Sequence, residues 1–93
     1  MFDKMKEMME MKKQADSIKK TLDKDLLTVT DVRGIKIVIN GSQMIQSIEI
    51  EEGFHKNSSR ERLEKDFTRA VNTAIGKSQK AAAKKMQGMM PGF

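Results

Sequence analysis

The sequence predicts an α+β fold of order α-β-β-β-α, with a three-stranded antiparallel sheet between two long helices. Three observations predict it. Apolar residues recur at helical spacing near both ends of the chain, the middle alternates with a period of two, and Asn40-Gly41 stands between two alternating runs as a hairpin signal.

Residues 1–24 read as the first helix. With Met1, Met8, Ala15 and Leu22 at heptad position a, Met11 and Ile18 fall at d, which gives a seam from Met8 to Leu22. Lys4 occupies the preceding d position and weakens the seam, while Met5 and Met9 broaden it. The three strands occupy about residues 26–52. Leu26 to Val32 is rich in β-branched residues, and Gly34 marks a turn or bulge before Ile35, Ile37 and Ile39 alternate with Lys36 and Val38. Asn40-Gly41 suits a type I′ turn, in which both central residues take positive φ. The third strand runs from about Met44 to Glu51, with Met44, Gln46, Ile48 and Ile50 on one side. Residues 57–87 read as the second helix, opened by a Ser58-x-x-Glu61 capping box and closed by Gly88 and Pro91. Leu63, Phe67, Ala70, Val71, Ala74, Ile75 and Ala82 share its broad apolar face. Gly76 inside it costs about 1 kcal/mol relative to Ala and marks a close packing contact or a slight bend. Residues 88–93 form a short tail that is loose or tucked into a partner.

A chain of 93 residues fits one domain, spanning 1–93. Aromatics make up 4% and hydrophobic residues 38%, a small stock for a core, so self-association is expected. The absence of cysteine excludes disulfides, thiol catalysis and thiolate metal sites, and suits a reducing compartment. The charged N-terminus does not read as a secretory signal, and no apolar run approaches the roughly 20 residues that span a bilayer.

Eighteen Lys and Arg against thirteen Asp and Glu give a net charge of +5, which points to an anionic partner. The excess is uneven: +2 over residues 1–24, −2 over 25–56 and +5 over 57–93. Asp66 is the last acid, and beyond it come Arg69, Lys77, Lys80, Lys84 and Lys85. Projected on a helix, Arg69, Lys77, Lys80 and Lys84 fall within about 80° of one another, a stripe able to follow a line of phosphates. A solvated helix face carries such a run too, and Lys favours helix ends. The absence of acids after Asp66 separates this helix from ordinary surface helices, which mix signs. A helix over 58–86 is about 43 Å long, whereas strands of this size reach about 20–24 Å. The helix therefore overhangs its sheet, and Lys85, on the apolar face, fits a projecting tip where that face is not buried.

The remaining polar groups assemble no reactive site. His55 stands alone, without Cys or a second His to share a metal, and reads as a loop residue. Glu49 and Glu51 share a strand face but have no nucleophile or oxyanion donor nearby, and Glu52 follows them. No phosphate-binding glycine loop occurs. No cofactor, metal or small-molecule substrate is expected. The Met-rich first helix packs on its own sheet, on a second copy or on a foreign protein partner. As a peripheral membrane helix it lacks large apolar surface.

Taken in order, these segments resemble the YbaB/EbfC family of nucleoid-associated proteins over nearly the whole chain. Val32 to Gly41 is similar to the family's Gly-x-Val-x-Val-x-x-Asn-Gly stretch, and Ile48-Glu49-Ile50 to its third strand. Asn72 to Lys77 resembles its Asn-x-Ala-x-x-Lys helix segment, and Lys85 to Phe93 its Met-rich, Pro-Gly-Phe ending. Glu51-Glu52-Gly53 stands where the family usually has Asp-Pro, and the acids that the family often places in its last helix are absent. The resemblance implies a bacterial, cytoplasmic, nucleoid-associated homodimer, joined largely through the sheets, whose projecting helices bind double-stranded DNA. On this reading Arg69, Lys77, Lys80, Lys84 and Lys85 contact phosphates, with Lys12, Lys13, Lys19 and Lys20 as weaker candidates. Few side chains are suited to reading base edges, so little sequence preference is expected. The alternative is a protein-interaction module that uses the Met-rich helix without touching DNA.

Overall fold

In the computed structural model, which describes residues 2–89, the chain runs α1 (Phe2–Lys24), β1 (Leu26–Val29), β2 (Ile35–Asn40), β3 (Ile45–Ile50), a 3-10 turn (Phe54–Asn57) and α2 (Arg60–Met89). Met1 and residues 90–93, with Pro91 and the Pro-Gly-Phe ending, lie outside the described residues. The strands form one antiparallel sheet in the order β1-β2-β3. The α+β fold class and the α-β-β-β-α order stand as predicted.

Ile35, Ile37 and Ile39 of β2 point to one face, as the period of two requires, and are buried there with Val29, Val32, Ala70 and Ala74. Leu27, Phe54, Phe67, Val71 and Ile75 pack around them. The opposite face carries Thr28, Lys36, Ser47 and Glu49, which are exposed. Glu49 pairs with Lys36 across the strands at 3.6 Å. α2 lies mainly over β2 and β1. The inner side of β3 is therefore left open, with Ile45, Ile48 and Ile50 exposed to 39%, 43% and 47%.

Several local expectations are corrected. β1 stops at Val29, because the chain turns at Val32–Gly34, where the Ile35 amide bonds to the Val32 carbonyl at 3.1 Å. The β2–β3 hairpin is not a type I′ turn. Positive φ falls on Gln43 (64°), not on Asn40 or Gly41. Gly41 serves close approach instead: its amide reaches the Leu22 carbonyl at 2.9 Å, and a Cβ there would lie 3.0 Å from that oxygen. The ladder slips between Val38 and Ile39, so Ile45 rather than Gln46 joins Ile48 and Ile50 on the inner face. Ser58 does not cap α2. Its hydroxyl donates to the Phe54 carbonyl at 3.3 Å and closes the 3-10 turn, while Ser59 accepts from the Arg62 amide at 3.2 Å and starts the helix one residue later. Gly88 does not end α2, which continues to Met89. Nor does Gly76 mark a close contact, since a Cβ there would meet no atom within 4 Å.

Burial along α2 stops at Ser78. Its hydroxyl donates to the Asn40 carbonyl at 2.7 Å, the Asn40 side-chain oxygen accepts the amides of Ser42 (3.0 Å) and Met44 (2.9 Å), and its nitrogen donates to the Asp23 carbonyl at 3.3 Å. This polar joint ties α1, the hairpin and α2 together. Beyond it α2 leaves the sheet, as its predicted overhang requires, and α1 accompanies it as the second helix of an arm. The extents of 66 × 20 × 19 Å reflect that arm. Only Ile18 of the α1 seam is buried, whereas Met8 and Met11 are about 70% exposed, at 70% and 69%.

Candidate nucleic-acid interface

The candidate side chains stand on the two helices, α1 and α2. On α2, at 100° per residue, Ala70, Ala74 and Ser78 face the sheet, which turns Arg69, Lys77, Lys80 and Lys84 to one exposed side. All of these cations are exposed. They are not equivalent. Lys77 Nζ sits 2.6 Å from Asp31, in the β1–β2 connection, and Arg69 lies 3.8 Å from Asp66 one turn earlier on its own helix. Lys80, Lys84 and Lys85 make no ion pair among the described residues. They stand past Ser78, on the part of α2 that has left the sheet.

Met86 shares an apolar groove of about 360 Å³ with Met11, Ala15, Ile18 and Leu22. Since Ser78 is tied to the Asn40 joint beside Asp23, α1 and α2 run antiparallel along the arm. Lys84 and Lys85 are thereby brought to the stretch of α1 that carries Lys12. Lys19 lines the groove, and Lys12, seven residues earlier, lies on the same side of α1. Lys13 and Lys20 point away from α2, and Asp16 stands four residues from both Lys12 and Lys20. The α1 cations are all exposed but mixed with acids, unlike those at the end of α2.

Two basic residues near the stripe fall outside the sequence-predicted set. Arg62 lies on the same side of α2 as Arg69, and Arg33 rises beside both from the β1–β2 turn, where they border a cleft of about 190 Å³. The helical projection contains the signal for Arg62, because its angle matches Lys80, but the acid-free criterion began after Asp66 and excluded it. Arg33 is 29 residues from Arg62, and only the packing of the turn against α2 brings them together.

His55 is exposed in the 3-10 turn, and among the described residues no group of three or more His, Cys, Asp or Glu side chains is placed to hold a metal ion. No described helix is long and apolar enough to cross a membrane. A comparison with curated proteins finds no match. The model of the YbaB/EbfC DNA-binding family matches residues 1–93, the whole chain. With this full-length match, and an α2 that carries Lys80, Lys84 and Lys85 and no acid beyond Asp66, the chain belongs to the YbaB/EbfC DNA-binding family.

Proposed function

We propose that the protein is a nucleoid-associated double-stranded DNA-binding protein of the bacterial cytoplasm, acting as a homodimer and without catalytic activity. The observation that carries this reading is the acid-free run of Lys80, Lys84 and Lys85 on a helix that has left its sheet. Lysines so placed reach backbone phosphates along the arm. The contacts are ionic and made by lysines, so little sequence preference is expected. Arg69 and Lys77, paired with Asp66 and Asp31, contribute less than these lysines, and Lys12, Lys13, Lys19 and Lys20 add weaker attraction.

The second copy is expected on β3. Ile45, Ile48 and Ile50 continue the apolar inner face past the cover of α2, and β3 is also a sheet edge with unpaired backbone groups. Pairing two sheets there covers both and sets two arms on one particle. One further observation favours a protein partner: the Met-lined groove of about 360 Å³ on the arm suits an apolar helix.

The test is binding to a labelled random-sequence duplex from about 50 to 300 mM salt. With three unpaired lysines per chain in a dimer, the log–log slope is expected near −5, steepening toward about −9 if the Asp66 and Asp31 pairs open and Arg69 and Lys77 also engage. Lys80→Gln, Lys84→Gln and Lys85→Gln together should flatten it while the circular dichroism spectrum stays unchanged. A wild-type slope near zero would sink the DNA reading and leave the groove as the functional surface.

A further inference from the structure

The basic side of α2 extends beyond the arm. At the sheet end of the helix, the β1–β2 turn and the 3-10 turn meet α2 around the cleft of about 190 Å³. Arg33, Arg62 and Arg69 border it, Ser58 adds a hydroxyl, and Phe54 and Val32 form its apolar floor. Two carboxylates are also present. Asp66 is taken by Arg69, at 3.8 Å, and Glu51 is exposed at the rim. Arg33 and Arg62 make no ion pair among the described residues.

The turn that carries Arg33 is firmly held. Gly34 has a φ of 88° and lies against the Phe54 ring, its carbonyl accepts the Glu51 amide at 2.8 Å, and Val32 accepts the Ile35 amide at 3.1 Å. Arg62 is fixed at the backbone by the Ser59 cap. Two unpaired guanidinium groups on rigid supports at one cleft suit a tetrahedral oxyanion, because each planar fork can donate two parallel hydrogen bonds.

We propose that this cleft is a second phosphate-binding site, in which Arg33 and Arg62 grip one phosphate while Asp66 holds Arg69 at its border. The spacing along α2 favours a phosphate of the DNA backbone. From Arg62 to Lys84 is about 33 Å along the helix axis, close to the roughly 34 Å of one B-DNA turn. Between these ends Arg69 and Lys77 are neutralised by Asp66 and Asp31. The stripe thus has two open cationic ends, separated by the repeat at which a duplex presents phosphates on the same side. This deepens the DNA-binding reading above and rests on it for the source of the phosphate. A free phosphate-bearing small molecule would satisfy the same chemistry.

The experiment uses the full chain in two arms. In the first, duplex binding across salt is compared for wild type, the double variant Arg33→Gln/Arg62→Gln, and Arg33→Lys/Arg62→Lys. The Gln variant is expected to bind about tenfold more weakly at moderate salt, with a slope smaller by about one for each protomer engaged, and the Lys variant to fall between. In the second, amide and guanidinium NMR shifts are followed while inorganic phosphate replaces chloride at constant ionic strength. Weakened duplex binding in a folded Gln variant supports the site with DNA as the source. Unchanged duplex binding, with phosphate shifts at Arg33 and Arg62 that the Gln variant loses, supports the site with a free ligand. Unchanged duplex binding and no such shifts overturn it. Should the wild type bind no duplex at all, the arm reading fails, and the phosphate titration still decides the cleft.

Discussion

Gly34 and Gly76 sit in opposite surroundings, and each makes a prediction. At Gly34 the backbone has a φ of 88°, and an added Cβ would overlap the Phe54 ring. Gly34→Ala therefore meets both a disfavoured conformation and an overpacked core, and is expected to destabilise by about 2–4 kcal/mol. At Gly76 a Cβ would meet only open space. Gly76→Ala replaces a poor helix former within α2 and is expected to stabilise by about 1 kcal/mol. Thermal melts followed by far-ultraviolet circular dichroism check both, and a lowered midpoint for Gly76→Ala would contradict the packing described. The sequence made the Gly34 turn legible, because a lone glycine before an alternating run is a local signal. The role of Gly76 was not legible, since a helical glycine looks the same whether a neighbour fills the space beside it or not. Arg33 was hidden for a similar reason, as its neighbours in the cleft come from distant segments.

At the scale of the elements, periodicity revealed both helices and the inner face of β2, because burial on one side leaves a mark every two or every three to four residues. It did not reveal where regularity breaks. The slip opposite Val38 and Ile39 moves Ile45 inward, and the cap of α2 falls on Ser59 because Ser58 is used by the preceding turn. The basic stripe was legible as a run without acids, but its local sequence gives no hint of Asp31, 46 residues from Lys77. That pair carries a prediction. Asp31→Asn releases Lys77 and removes a charge that repels phosphate. Duplex affinity at low salt is expected to rise about threefold, with a steeper salt slope. Fluorescence anisotropy with labelled duplex measures this, and weaker binding would show that Asp31 positions Lys77 rather than competing for it.

For the whole molecule, the small apolar content points to self-association, and the exposed inner side of β3 is where the single chain leaves its sheet uncovered. Ile48→Glu places a charge on that strip without entering the core of the single chain. On the proposed dimer it is expected to give a folded monomer in sedimentation experiments and to lower duplex affinity by more than tenfold, because the two arms of that dimer would bind together. A variant that sediments as wild type would move the dimer contact elsewhere.

The placement of the methionines has a chemical consequence. The buried cluster is made of Ile, Val and Ala and contains no sulfur, while Met5, Met8, Met9 and Met11 stand 62–70% exposed on α1. Oxidants reach these thioethers in the folded chain. Conversion to sulfoxide makes the arm more polar and harder to pack, and leaves the sheet and the Asn40 joint intact. Oxidative damage thus falls on the arm and, at the equally exposed Met44, on the β2–β3 hairpin, where methionine sulfoxide reductases can reverse it, and spares the sulfur-free buried cluster.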